Sequence, residues 1–179
     1  MIVLHPIDES TTESFIYSTG AESFSNAITS GDFNKDGWTN VVVATTSKLD
    51  NVNVFLGFNY PIFIVHDTIE FLNEAAPHYF NIADFNGDHQ SDLMITAFYS
   101  ATIHILLGAG NGTFINFTEY STGIKLDPYA VALDDFDMGN RTDMVVLNNR
   151  TRNGGIFFGF GNGTFFSSAT YALTYSSKI

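Results

Sequence analysis

Asp84-Phe85-Asn86-Gly87-Asp88-His89-Gln90-Ser91-Asp92 runs straight into Leu93-Met94-Ile95-Thr96. The first nine residues are too polar and turn-rich to continue a strand, while the four that follow form an unbroken apolar run. Before them, Phe80 and Ile82 alternate with polar residues, as in a strand packed on one face. The stretch therefore reads as strand, acidic loop, strand. Oxygen-bearing side chains stand at loop positions 1, 3, 5 and 9, a spacing that suits a hard cation.

The same stretch occurs three times. Asp32-Phe33-Asn34-Lys35-Asp36-Gly37-Trp38-Thr39-Asn40 precedes Val41-Val42-Val43-Ala44, and Asp135-Phe136-Asp137-Met138-Gly139-Asn140-Arg141-Thr142-Asp143 precedes Met144-Val145-Val146-Leu147. The loops begin 52 and then 51 residues apart. A second landmark keeps the same period. Gly57, Gly108 and Gly159 follow Val54-Phe55-Leu56, Ile105-Leu106-Leu107 and Ile156-Phe157-Phe158. Two landmarks sharing one period define stacked supersecondary units.

Each unit holds four short strands, in the second at about 79–83, 93–98, 101–107 and 113–120. The runs after the loops read as strands buried on both faces. Gly-Asn-Gly-Thr at 110–113 and 161–164 reads as a hairpin turn, because Asn-Gly supplies positive φ cheaply. All four prolines fall near inferred strand edges or connections, where a missing N–H is tolerated. Four antiparallel strands at this period describe a propeller blade. The expected organisation is all-β: an N-terminal segment over 1–24 with the outer strand of a preceding blade, then blades over 25–75, 76–125 and 126–179. Closed propellers use four to eight blades, so this one is expected to be incomplete or open.

Composition narrows the function. The chain has 179 residues, 45% hydrophobic and 15% aromatic, which excludes general disorder. Its net charge of −12, with seven Lys and Arg, argues against nucleic acid and anionic membranes. Of the thirteen Asp residues, eight lie in the three loops, and such clustering points to cation binding rather than a merely solvated surface. Without cysteine there are no disulfides or thiolate sites. No run approaches membrane-spanning length. The opening Met1-Ile2-Val3-Leu4-His5-Pro6 lacks the basic and apolar regions of a signal peptide. Five Asn-x-Ser/Thr sequons begin at Asn111, Asn116, Asn140, Asn149 and Asn162; they are glycosylation acceptors or chance products of an Asn- and Thr-rich composition.

Ca²⁺ takes six to eight oxygen ligands. Loop one offers Asp32, Asn34, Asp36, Asn40 and the Trp38 carbonyl, with Gly37 for the sharp turn. Loop two offers Asp84, Asn86, Asp88, Asp92 and the Gln90 carbonyl, with His89 in the glycine's place. Loop three offers Asp135, Asp137, Asp143 and the Arg141 carbonyl, but Gly139 leaves position 5 without a ligand. By charge the second loop ranks best and by turn geometry the first, while the third, one ligand short, is partly eroded. The competing reading is an Asx turn whose carboxylates only cap backbone N–H groups. An EF-hand is excluded, because position 12 is Val43, Ile95 or Val146 where a bidentate Glu is required.

The acidic loops, the Val-Val-Val-Ala strand and Leu-Leu-Gly-x-Gly-Asn-Gly-Thr-Phe together resemble FG-GAP/VCBS repeats, the blades of integrin-α-like β-propellers. The resemblance spans about residues 14–175. It implies Ca²⁺ in the loops at one rim, and extracellular or cell-surface adhesion through loops on the opposite face to a protein or glycan. Further blades outside this chain are also implied. An enzyme is not expected: there is no Gly-x-Ser-x-Gly, no His-Glu-x-x-His and no cysteine nucleophile. The alternatives are an accessory propeller of a secreted hydrolase and a purely structural propeller fragment. Tyr60, Tyr99 and Tyr129 would favour binding if they cluster on one face, and His104 reads as a packing residue in an apolar strand.

Overall fold

The computed structural model describes residues 2–4, 15–17, 24–46, 50–58, 62–71, 75–123 and 127–172. Among these there is no helix. Strands β1 (Ile2–Leu4) and β2 (Phe15–Tyr17) pair with each other. The remaining strands form three four-stranded antiparallel sheets. Blade one is β3 (Phe24–Gly31), β4 (Asn40–Thr46), β5 (Asp50–Phe58) and β6 (Ile62–Phe71). Blade two is β7 (Pro77–Ala83), β8 (Asp92–Ala97), β9 (Thr102–Gly108) and β10 (Phe114–Ser121). Blade three is β11 (Pro128–Asp134), β12 (Asp143–Asn148), β13 (Asn153–Gly159) and β14 (Phe165–Ala172). In each blade the strands lie in chain order, so every connection is a hairpin.

The all-β expectation holds, and the four strands inferred for blade two lie within two residues of their observed bounds. Phe15–Tyr17, read from the sequence as the outer strand of a preceding blade, pairs antiparallel with Ile2–Leu4. A register shift recurs at one place in the first pair of each blade, between Ser25 and Ala27, Pro77 and Tyr79, and Pro128 and Ala130. A bulge there adds local twist to each blade.

Burial sits between blades. Val42, Ala44, Val52 and Val54 of blade one pack with Leu93, Ile95, Ala97 and Leu106 of blade two. The other face of blade two, with Met94, Ile103 and Ile105, packs with Met144, Val146 and Phe157 of blade three. Each fully buried aliphatic side chain contributes about 1.5–3 kcal/mol, more than a typical hydrogen bond, so these faces dominate the stability. The strand after loop three departs from the reading of burial on both faces. Leu147 is exposed and Val145 half-buried, because no described element covers that side of blade three.

Candidate metal centre

All three acidic loops join the first and second strands of their blades, on one rim, and share one backbone form. Position 6 is left-handed each time, at Gly37 (φ 84), His89 (φ 62) and Asn140 (φ 56). His and Asn tolerate that region better than most side chains, so the glycine is replaceable there. Position 4 is left-handed too, at Lys35, Gly87 and Met138, which nothing in the spacing signalled.

Position 1 is the hub. In loop one, Asp32 Oδ2 accepts from the Gly37 N–H at 3.0 Å. In loop two, Asp84 accepts from Gly87 at 2.7 Å and His89 at 2.9 Å. In loop three, Asp135 accepts from Gly139 and Asn140, both at 2.8 Å. Positions 3 and 5 form Asx turns: Asp36 accepts from the Trp38 N–H, Asn86 from Asp88, Asp88 from Gln90 and Asp137 from Gly139. The side-chain amides of Asn34 and Asn86 donate to Asp36 and Asp88 at 2.7 and 2.9 Å. The donation from Asn86, and then the Gln90 N–H, hold the Asp88 carboxyl below the usual carboxylate range.

Position 9 is different in kind, being fully buried in all three loops. Asp92 accepts from the Phe85 N–H at 2.7 Å and from the Gly108 N–H at 2.8 Å. Asp143 repeats this with Phe136 at 2.9 Å and Gly159 at 2.8 Å. The carboxylate thus ties the loop to the third strand of its own sheet. Burial pushes the Asp92 carboxyl up, against the two N–H groups that favour its charge. Asn40 has one oxygen, which takes the Phe33 N–H at 2.6 Å, and its Nδ2 is buried without a hydrogen-bond partner.

The glycines 51 residues apart now have a cause. A Cβ at Gly57, Gly108 or Gly159 would collide with the carbonyl oxygen of Thr39, Ser91 or Thr142, at loop position 8. Backbone meets backbone there, so only glycine fits.

The donor set suits a hard cation in two places. In loop one, Asp32 Oδ1 and Asn34 Oδ1 are buried oxygens with no hydrogen-bond donor. In loop three, Asp135, Asp137 and Asp143 each bring a carboxylate oxygen within 4.8 Å of the other two, the one such acidic group among the described residues. Spacing leaves that loop one ligand short, at Gly139; folding nonetheless brings its remaining carboxylates together. Arg141, expected to offer its carbonyl, also places its guanidinium 3.5 Å from Asp137 and offsets part of the charge. The Trp38 side chain is exposed, and Gln90 Oε1 is buried beside Gly110 without a hydrogen-bond partner.

On the opposite rim, Tyr99 and Tyr129 are exposed and flank a ring group. His78 lies 6.0 Å from Phe98 and 6.0 Å from Tyr129, and Phe98 meets Tyr99 edge-on. Tyr60 lies outside the described residues. His104 is buried between blades one and two, edge-on to Phe71 at 5.0 Å and 2.8 Å from Thr102 Oγ1. Burial lowers its pKa to about 4.

Repeated four-stranded sheets with an acidic loop on one rim define a β-propeller-like repeat module. Residues 84–146, from loop two to the second strand of blade three, match the family model described as an FG-GAP-like repeat. That match agrees with the resemblance the motifs carry. No curated protein matches it. Among the described residues no helix is long and apolar enough to cross a membrane.

Proposed function

We propose that the chain is a non-enzymatic, Ca²⁺-stabilised β-propeller-like module that binds a protein or glycan outside the cell or at its surface. The observation that carries the calcium reading is the convergence of Asp135, Asp137 and Asp143 within 4.8 Å. Three carboxylates so close repel one another, and a divalent cation would neutralise them while fixing the turn. The buried, donorless oxygens of Asp32 and Asn34 support the same role in loop one. With the acidic rim serving as a staple, ligand contact falls to the opposite rim, where Tyr99 and Tyr129 are exposed.

Calorimetry with calcium and with EDTA tests this reading. Chelation is expected to lower the melting temperature by about 5 °C or more, with a larger fall at low salt. A scan unchanged by EDTA would sink the calcium claim.

A further inference from the structure

The register shift in the first strand pair of each blade leaves one residue without a cross-strand partner. These residues are Asn26 in β3, His78 in β7 and Tyr129 in β11, 52 and then 51 positions apart. A bulge re-aims its side chain out of the sheet's alternation. Here three bulges bring an amide, an imidazole and a phenol to the rim opposite the acidic loops. His78 shares a cleft with Asn26, and its ring lies 6.0 Å from that of Tyr129.

The cleft lies between blades one and two and has a volume of about 310 Å³. Ligand pockets run from about 300 to 1,000 Å³, so this one suits a small molecule or the end of a larger one. Asn26 and Thr46 line it from blade one, and Ala76, His78, Phe98 and Tyr99 from blade two. Among the described residues lining it there is no Asp, Glu, Lys or Arg.

The walls are held in place. Asp50 accepts from the Ala76 N–H at 2.6 Å, with Ala76 in left-handed backbone (φ 52). The carbonyls of Ala76 and Ala75 accept from the N–H groups of Phe98 and Tyr99 at 3.0 and 3.2 Å, so the turn bearing both rings is tied to the cleft. At the acidic rim the same two blades are fastened by the hairpin between β9 and β10. Its Gly112 N–H donates to the Phe33 carbonyl at 3.1 Å, and Phe114 meets the Phe33 ring edge-on at 5.5 Å. The hairpin between β13 and β14 repeats this on blade two, from Gly163 to the Phe85 carbonyl at 2.9 Å. A preformed cleft spares its ligand most of the ordering cost.

We propose that this cleft is a saccharide site that takes one or two uncharged sugar rings, a proposal resting on the reading that the rim opposite the acidic loops carries the ligand. A sugar presents hydroxyls around its edge and C–H groups on its face. The edge matches Asn26, Thr46 and His78, whose side chains both donate and accept. The face matches the Tyr99 ring, which is 74% exposed and braced edge-on by Phe98 at 5.4 Å. A charged ligand would leave water for a lining that offers it no opposite charge. An apolar peptide side chain would strip the same three polar groups of water and return no hydrogen bond.

The test titrates the full chain with the methyl glycosides of glucose, galactose, mannose and N-acetylglucosamine, read by amide resonances. At least one is expected to bind with a Kd of about 1 mM or tighter. It should shift Asn26, Thr46, His78 and Tyr99 and leave Phe33 and Phe85 in place. Tyr99→Ala, an exposed change, should keep the melting temperature within about 2 °C and weaken that sugar by about tenfold. Tyr99→Phe keeps the ring face and should stay within about threefold of the original affinity. No shift with any of the four sugars would overturn the proposal, as would an affinity that Tyr99→Ala leaves unchanged. A chain that ignores the sugars yet holds a protein ligand through Tyr99 would remove the saccharide site and leave surface binding intact. Binding of neither would remove both, and the EDTA scan bears on calcium alone.

Discussion

Loops one and two share a backbone but close differently. Asp92 gives each of its two oxygens to a backbone N–H, so loop two is tied to β9 as well as to itself. Asn40 occupies the same buried position, serves only Phe33, and leaves its amide nitrogen without a hydrogen-bond partner. The difference teaches that position 9 acts first as a clamp within the blade. Any cation would come to a side chain whose oxygens are already committed to backbone groups. It also shows that a repeat can lose one arm of the clamp and keep its shape, because the apolar faces of neighbouring blades supply most of the stability.

The largest expected effect comes from making the second loop like the first. Asp92→Asn places an amide where the Gly108 N–H needs an acceptor, and should cost about 3 kcal/mol in chemical denaturation. A loss under about 0.5 kcal/mol would show that the second arm contributes nothing, and the two loops would then be equivalent.

Acid should separate the blades next. His104 stands in blade two where blade one has Asn53 and blade three has Gly155. Its folded pKa of about 4 lies below the ordinary 6.5, so the unfolded chain binds the extra proton first. The stability tied to neutral His104 is therefore complete above pH 6.5 and is lost as pH falls from there toward 4. Between pH 7 and pH 5 the loss should be about 2 kcal/mol. Glu119 Oε2, 4.0 Å from the ring, moderates the loss by attracting the imidazolium. His104→Asn should remove this slope; the same slope persisting in that variant would assign it to other groups.

The smallest effect is the reverse exchange. Asn40→Asp gives loop one a second acceptor for the N–H of Gly57, the counterpart of Gly108, and is expected to stabilise by about 1 kcal/mol. It also adds a carboxylate to the loop, so the calcium-induced rise in melting temperature should grow. A variant with lower stability both with and without calcium would mean that burying the charge outweighs the new bond.

Much of this was legible before folding was considered. The acidic loops and the glycines share a period because each repeat is one sheet, and hydrophobic alternation marks its strands. The left-handed backbone at Gly37 and His89 followed from residue type. The left-handed positions at Lys35 and Met138 did not, since neither side chain favours that region and the flanking hydrogen bonds impose it. Gly57, Gly108 and Gly159 were visible as a pattern, but their cause is a carbonyl from the loop 17 or 18 residues earlier. Ligand spacing leaves the third loop one donor short, a measure blind to how closely the remaining three carboxylates approach.

The acidic loops and their period, read alone, determined an all-β repeat with three candidate cation loops, because short-range turn chemistry and strand alternation are written residue by residue. Tertiary structure alone decided that position 9 is a buried clamp, that the glycine hairpins fasten one blade to the one before, and that Asn26 and His78 line one cleft. Those features depend on pairs some 16 to 80 residues apart, which local pattern does not encode.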